Sequence, residues 1–152
     1  MNIIRIKKED RYFKEIVNTY YNWWAKKRNI SYQDHINNYK NYLLTDEIPN
    51  IYALIINDTL VGMYELNEKD NIDEQNYTPY LANVFIKESY RNNNYSKLLI
   101  EDAIKRVEKM GYNKLYLHTK LENFYEKYNF QYSEEVKTKY GPKRIFVLHI
   151  KR

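Results

Sequence analysis

Residues 80–130 constrain the fold of this chain more than any other stretch. An apolar strand, Leu81-Ala82-Asn83-Val84-Phe85-Ile86, leads into a polar turn, Arg91-Asn92-Asn93-Asn94-Tyr95-Ser96. A long helix follows over residues 94–110. Leu99, Ile100, Ala103, Ile104 and Val107 form one apolar stripe on it, and Glu101, Lys105, Arg106, Glu108 and Lys109 fall outside that stripe. Gly111 is placed to stop this helix in a left-handed conformation, and Lys114-Leu115-Tyr116-Leu117-His118 reads as a second strand. A strand, helix and strand in this order form a crossover unit of right-handed sense.

The flanking segments make the sheet mixed. Residues 2–7 read as a short strand and residues 10–27 as a helix, with Phe13, Ile16, Val17, Tyr20 and Trp24 at three- and four-residue spacing. Ser31 caps a second helix running through Leu44, with Ile36, Tyr39 and Leu43 on its apolar side, and Pro49 closes that region. Residues 51–56 and 60–66 form a hairpin around Asn57-Asp58. Residues 67–78 are polar and acidic and read as a loop. A short helix is expected over residues 121–128. Two last strands, near 130–138 and 143–150, are separated by Gly141-Pro142 as the turn. The order is β-α-α-β-β-β-α-β-α-β-β.

Composition narrows the chemistry. The 152 residues fit one domain, and 30% charged with 43% hydrophobic residues fits a soluble globule. With no cysteine, disulfides, thiolate nucleophiles and Cys-ligated metals are excluded. His35, His118 and His149 are too scattered to form a local metal motif. No apolar run reaches the length of a membrane span, and the start lacks a secretory pattern, so a cytoplasmic protein is expected. Much of the net charge of +5 lies in the last third of the chain, but no dense Lys/Arg block forms, which makes a nucleic-acid partner a weak alternative. The 18 tyrosines accompany many Asn, Lys and Ile residues and read as compositional bias.

The turn at Arg91 sits where a strand hands over to a helix. The first four N–H groups of a helix lack intrahelical partners, and the dipole adds about half a positive charge there, so the position attracts phosphate. The element order and these residues resemble the GNAT superfamily of N-acetyltransferases. The likeness covers nearly the whole chain and is most specific over residues 81–130. The family's Arg/Gln-x-x-Gly-x-Gly/Ala turn corresponds to Arg91-Asn92-Asn93-Asn94-Tyr95-Ser96, and its Tyr-Glu-Lys-x-Gly-Phe segment to Tyr125-Glu126-Lys127-Tyr128-Asn129-Phe130. Trp23-Trp24 and Ile48-Pro49 are similar to one branch of small bacterial acetyltransferases. Asn94, Ser96 and Asn129 stand where the family has small residues, mostly glycine, and Glu88 where it often has Pro. Asn is the residue after glycine that best tolerates positive φ.

The resemblance implies an α/β fold: a GNAT-type mixed central sheet of about seven strands flanked by about four helices, as one domain over residues 1–152. It implies acetyl-CoA as co-substrate and no metal. The backbone of Asn92, Asn93, Asn94, Tyr95 and Ser96 would hold the pyrophosphate, with Arg91 and Lys97 adding charge. Val84, Phe85 and Ile86 would lie along the pantetheine arm as if it were another strand, and Asn123 joins the cofactor-binding set. The stretch from His118 to Asn123 is shorter than in the family pattern.

Acyl transfer to an amine expels the CoA thiolate, and Tyr125 matches the family tyrosine that can protonate that sulfur. Some members draw a base from the strand before the phosphate turn. The comparable position here is near Tyr80, which cannot serve, so Glu65 and His118 are the candidates, directly or through a water. Glu65 reads equally as a plain solvated or capping carboxylate. Glu65, Glu68, Asp70, Asp73 and Glu74 face one Lys69 in sequence. If that run borders the acceptor cleft, it favours a cationic amine. Trp23 and Trp24 could line the cleft, and Tyr77-Thr78-Pro79-Tyr80 could form its floor. The expected reaction is acetyl transfer to a primary amine of a small cationic molecule by direct attack in a ternary complex. The main alternative is a catalytically silent acyl-CoA-binding sensor. The final hairpin, with Phe146 and Leu148, offers a surface for a homodimer.

Overall fold

The structure, a computed structural model, describes residues 1–45, 48–68 and 77–150. In chain order the elements are β1 (Asn2–Arg5), α1 (Phe13–Tyr20), α2 (Tyr32–Tyr42), β2 (Asn50–Ile56), β3 (Thr59–Asn67), β4 (Tyr80–Ile86), α3 (Tyr95–Lys109), β5 (Lys114–His118), β6 (Gln131–Thr138) and β7 (Gly141–His149). They build a seven-stranded sheet in the order β1-β2-β3-β4-β5-β7-β6. Every neighbouring pair is antiparallel except β4 and β5.

Both faces of the sheet are covered, so its middle strands are apolar without alternation. Along β2, Ile51 and Ala53 pack with Phe13, Ile16, Val17 and Tyr20 of α1. The intervening Tyr52 and Leu54 pack on the other face with Leu99, Ile100, Ala103 and Val107 of α3. The apolar stripe of α3 is therefore the one its spacing requires. Ser31 Oγ accepts from the N–H of Asp34 at 3.1 Å and caps α2. Asn57 and Asp58 both take positive φ (49° and 61°), as a two-residue hairpin turn demands.

Four expectations are corrected. Among the described residues there are three α-helices rather than about four. Residues 121–128 contain only a 3₁₀ turn, Tyr125–Tyr128, because left-handed Asn123 and Asn129 (φ 58° and 72°) bracket a segment too short for an α-helix. The helix expected over residues 10–27 is α-helical only as α1. It continues as a π-turn (Tyr21–Ala25) and a 3₁₀ turn (Lys26–Arg28), and stops at left-handed Asn29. The last hairpin turns at Lys139-Tyr140, with Gly141 (φ 103°) paired to Thr138 and already in β7. Phe146 and Leu148 are 1% and 7% exposed within the main core, so they cannot offer a dimer surface.

Two features of β4 set up the site. Opposite β3 the register shifts between Met63 and Glu65, and Asn83 sits at φ 50°, which bulges the strand. On its other side β4 meets β5 only at Tyr80 opposite Tyr116, and the two then diverge while β4 continues along β3 as far as Ile86. Gly62 holds the β3–β4 contact tight. A Cβ there would stand 2.6 Å from the Phe85 carbonyl oxygen and 2.6 Å from the Ile86 side chain. Because the carbonyl is backbone, it cannot rotate away. Gly62→Ala is expected to cost about 2–3 kcal/mol, by overpacking of β4. A thermal melt should show a fall of roughly 4–12 °C, taking about 2–4 °C per kcal/mol for a chain of this size.

Candidate active site

The divergence of β4 from β5 opens a cleft of about 800 Å³. Its rim and walls come from the π-turn and the 3₁₀ turn after α1, from α2, from the ends of β3 and β5, from the bulged part of β4, from the 3₁₀ turn of Tyr125, and from β7. Trp23 and Trp24, consecutive in the π-turn, both line the cleft. Trp23 is 40% exposed and leans on Tyr20 and Phe85 (ring centroids 6.2 and 5.4 Å).

Glu65, near the end of β3, lines this cleft and is only 3% exposed. The reading of it as a plain solvated carboxylate therefore fails. Tyr39 O–H donates to Oε2 at 2.6 Å, and Asn67 Nδ2 donates to Oε1 at 3.3 Å. The Tyr42 hydroxyl lies 3.5 Å from Oε1 and also bonds Asn67 and the Asn50 carbonyl. Burial, and after it the Glu65 carboxylate, push the Tyr39 and Tyr42 phenols well above their ordinary range. Both stay protonated donors to the carboxylate. Behind them His35 is buried among Tyr21, Trp24 and Tyr39, with Nε2 2.8 Å from the Val17 carbonyl. Burial lowers its pKa, so the ring is a neutral prop that donates from Nε2.

Tyr125 reaches the same cleft from its 3₁₀ turn. Its ring sits edge-on against Phe124 and Phe130, at 4.9 and 5.8 Å. Burial, helped by Tyr128, raises the phenol to about 12. His118 also lines the cleft, with Lys143 Nζ 3.2 Å from Nε2. An ammonium can only donate, so Nε2 accepts and the ring proton rests on Nδ1.

The phosphate turn lies beyond β4, at the start of α3. Asn92 and Asn94 take positive φ (68° and 59°), and Asn94 stands where the family has glycine. Asn94 occupies the N-cap position but makes no side-chain cap, and the first turn carries no acid. The leading N–H groups of α3 thus keep the donor character that suits an anion. The Asn93 amide folds back to the carbonyls of Tyr90 and Arg91 (3.1 and 3.2 Å) and stiffens the bend. Arg91 is anchored through Nε to the Ile86 carbonyl at 3.0 Å, which leaves its Nη groups outward. Lys97 stands 4.0 Å from Glu101.

Sequence reasoning gathered most of these groups but not their grouping. Tyr125, Glu65, His118 and Val84 line one cleft; Phe85, Ile86, Asn123 and residues 91–97 do not line it. The Asn123 side chain is exposed, and its N–H donates to Glu126 Oε2 at 3.0 Å. Tyr77 and Tyr80 are buried with Ile145 and form no part of the lining. Asp70, Asp73 and Glu74 of the acidic run lie outside the described residues. Tyr39, Tyr42, Asn67, Arg28 and Lys143 were missed. The α2 periodicity carried Tyr39 as a core position, and only the fold brings it to Glu65.

The comparisons agree with this architecture. The family model described as the acetyltransferase (GNAT) family matches residues 12–130, and the chain belongs to that family. Among solved structures, an aminoglycoside 6'-N-acetyltransferase complexed with coenzyme A superposes with a TM-score of 0.76 at 16% identity, covering 100% of this chain and 98% of that one. A GNAT family acetyltransferase from Elizabethkingia anophelis with acetyl-CoA bound gives 0.60 at 18% identity, covering 75% and 82%. Mutant forms of the spermidine/spermine N-acetyltransferase of Vibrio cholerae give 0.67 at 16% identity, covering 97% and 93%. These likenesses are of fold. No curated protein sequence matches the chain. Among the described residues, no helix is long and apolar enough to cross a membrane, and no group of His, Asp or Glu could hold a metal ion.

Proposed function

We propose that the chain transfers acetyl from acetyl-CoA to a primary amine that arrives as its ammonium form on a small molecule. The observation that carries this reading is the meeting of a raised phenol, a buried carboxylate and an unpaired strand edge on one cleft. When bound, acetyl-CoA supplies a thioester already activated toward attack by a neutral amine. The groups of this chain do the rest.

The N–H groups of residues 92–96 and the outward Nη groups of Arg91 hold the diphosphate, with Lys97 beside them. Beyond Tyr80 the amides and carbonyls of β4 that face β5 pair with the pantetheine arm as an added strand. Glu65, oriented by donors from Tyr39 and Asn67, draws in the ammonium and takes its proton. The cleft offers no cysteine, and the missing nucleophile favours direct attack within a ternary complex. Tyr125, protonated throughout the working pH range, gives its proton to the departing sulfur. His118 lines the same space, but its Nε2 lone pair already accepts from Lys143, so Glu65 is the better base.

Release of free thiol in the presence of a panel of amines, measured alongside a CoA thermal shift, tests this reading. Stabilisation by CoA without thiol release from any amine would leave only a silent acyl-CoA-binding protein. Arg91→Ala is expected to weaken CoA binding about tenfold in calorimetry. That is the lower end for a charge-assisted hydrogen bond at an exposed site, about 1.4 kcal/mol.

A further inference from the structure

We propose that the acceptor cleft contains an anion subsite built on Arg28, and that the substrate is an amine carrying an acid group at its far end rather than a polycation. This deepens the transferase reading above and rests on it for the identity of the cleft. Arg28 closes the 3₁₀ turn after α1 and lines the cleft. Its guanidinium lies 3.9 Å from the Tyr140 ring centroid, at the tip of the β6–β7 hairpin, and 5.4 Å from that of Trp24. Rings fix a guanidinium by its face and accept none of its five in-plane N–H groups. Among the described residues Arg28 has neither a carboxylate nor a hydrogen-bond acceptor. Arg106, equally half-buried, shows the usual arrangement: its Nε donates to Asp102 at 2.7 Å and its Nη2 to the Ile3 carbonyl at 3.0 Å. Arg144 is also held by rings, but it is not part of the cleft lining.

A further observation points the same way. The charges lining the described cleft are balanced and segregated. Glu65 and Glu68 lie at the β3 end, and Arg28 and Lys143 at the β7 end. A cleft for a polycation would carry an excess of acid throughout. The sheet order puts β3 and β7 three strands apart, with β4 and β5 diverging between them, so the two charged ends are well separated. An ω-amino acid carries its amine and its acid group at opposite ends in the same way.

The test is calorimetric, with CoA saturating, on the wild type, Arg28→Met and Tyr140→Leu. The probes are β-alanine and 6-aminohexanoate against propylamine and hexylamine. In the wild type, at least one acid should bind about tenfold or more tightly than the amine of equal length, the size of one charge-assisted bidentate contact. The ratio should fall to about one in Arg28→Met, and to an intermediate value in Tyr140→Leu, which keeps the guanidinium and loosens its clamp. Equal affinities in the wild type, no measurable binding of either acid, or a preference that survives Arg28→Met would each overturn the subsite. A preference that holds while no amine releases thiol would leave the subsite standing and remove the transferase reading instead.

Discussion

Tyr125→Phe is expected to lower kcat by about 10²-fold or more while acetyl-CoA affinity stays within about twofold, because general acid catalysis contributes typically ~10²–10⁴-fold. The substitution removes one oxygen and keeps the edge-on packing against Phe124 and Phe130, so the 3₁₀ turn should persist. Burial that lifts the phenol to about 12 makes it a donor at every ordinary pH. The wild-type kcat profile should therefore show no alkaline fall below about pH 11 from this group, since a phenol near 12 is still about nine-tenths protonated there. Steady-state rates across pH, with calorimetry for the cofactor, check both parts. A Phe variant within a few-fold of wild type would reduce Tyr125 to a wall of the cleft.

The sequence carried the fold because both signals that define it are local. The stripe on α3 and the apolar strands on either side are written at fixed spacings, and the packing of Leu99, Ile100, Ala103 and Val107 follows from them. At two of the family's glycine positions Asn takes the left-handed conformation, as the positive φ of Asn94 and Asn129 shows. What the spacing could not give was curvature and depth. The π-turn at Tyr21–Ala25 leaves the apolar count unchanged while re-aiming Trp23 and Trp24. Tyr125–Tyr128 form a 3₁₀ turn where a helix was expected, since no periodicity distinguishes the two over four residues. Glu65 sits near the end of β3, a strand buried on both faces, where a carboxylate is out of place unless donors meet it. Its burial depends on Tyr39 and Tyr42, which arrive from a helix more than 20 residues earlier. In a chain with 18 tyrosines, the two that matter to Glu65 carry no mark of their own.

Glu65→Gln should separate chemistry from support. The amide keeps the size of the side chain, its oxygen can still accept from Tyr39, and the Asn67 amide can turn to meet the new N–H₂ group. Stability should therefore change by less than about 1 kcal/mol, within the range of a neutral hydrogen bond. The loss of charge removes both the attraction for the ammonium and the proton acceptor. A fall of about 10²–10³-fold in kcat/KM for the amine is expected, with the acetyl-CoA dissociation constant unchanged. Glu65→Leu is the contrasting variant. It leaves the Tyr39 hydroxyl buried without its acceptor, at about 1–3 kcal/mol, and should lower Tm as well as rate. If Glu65→Gln kept its rate while Glu65→Leu lost only stability, Glu65 would be a strut for α2, and the proton would have to leave through a water near His118. If both lose the rate and only Glu65→Leu loses Tm, the carboxylate acts on the amine, and the ring of phenols exists to hold it ionised at the depth where the reaction needs it.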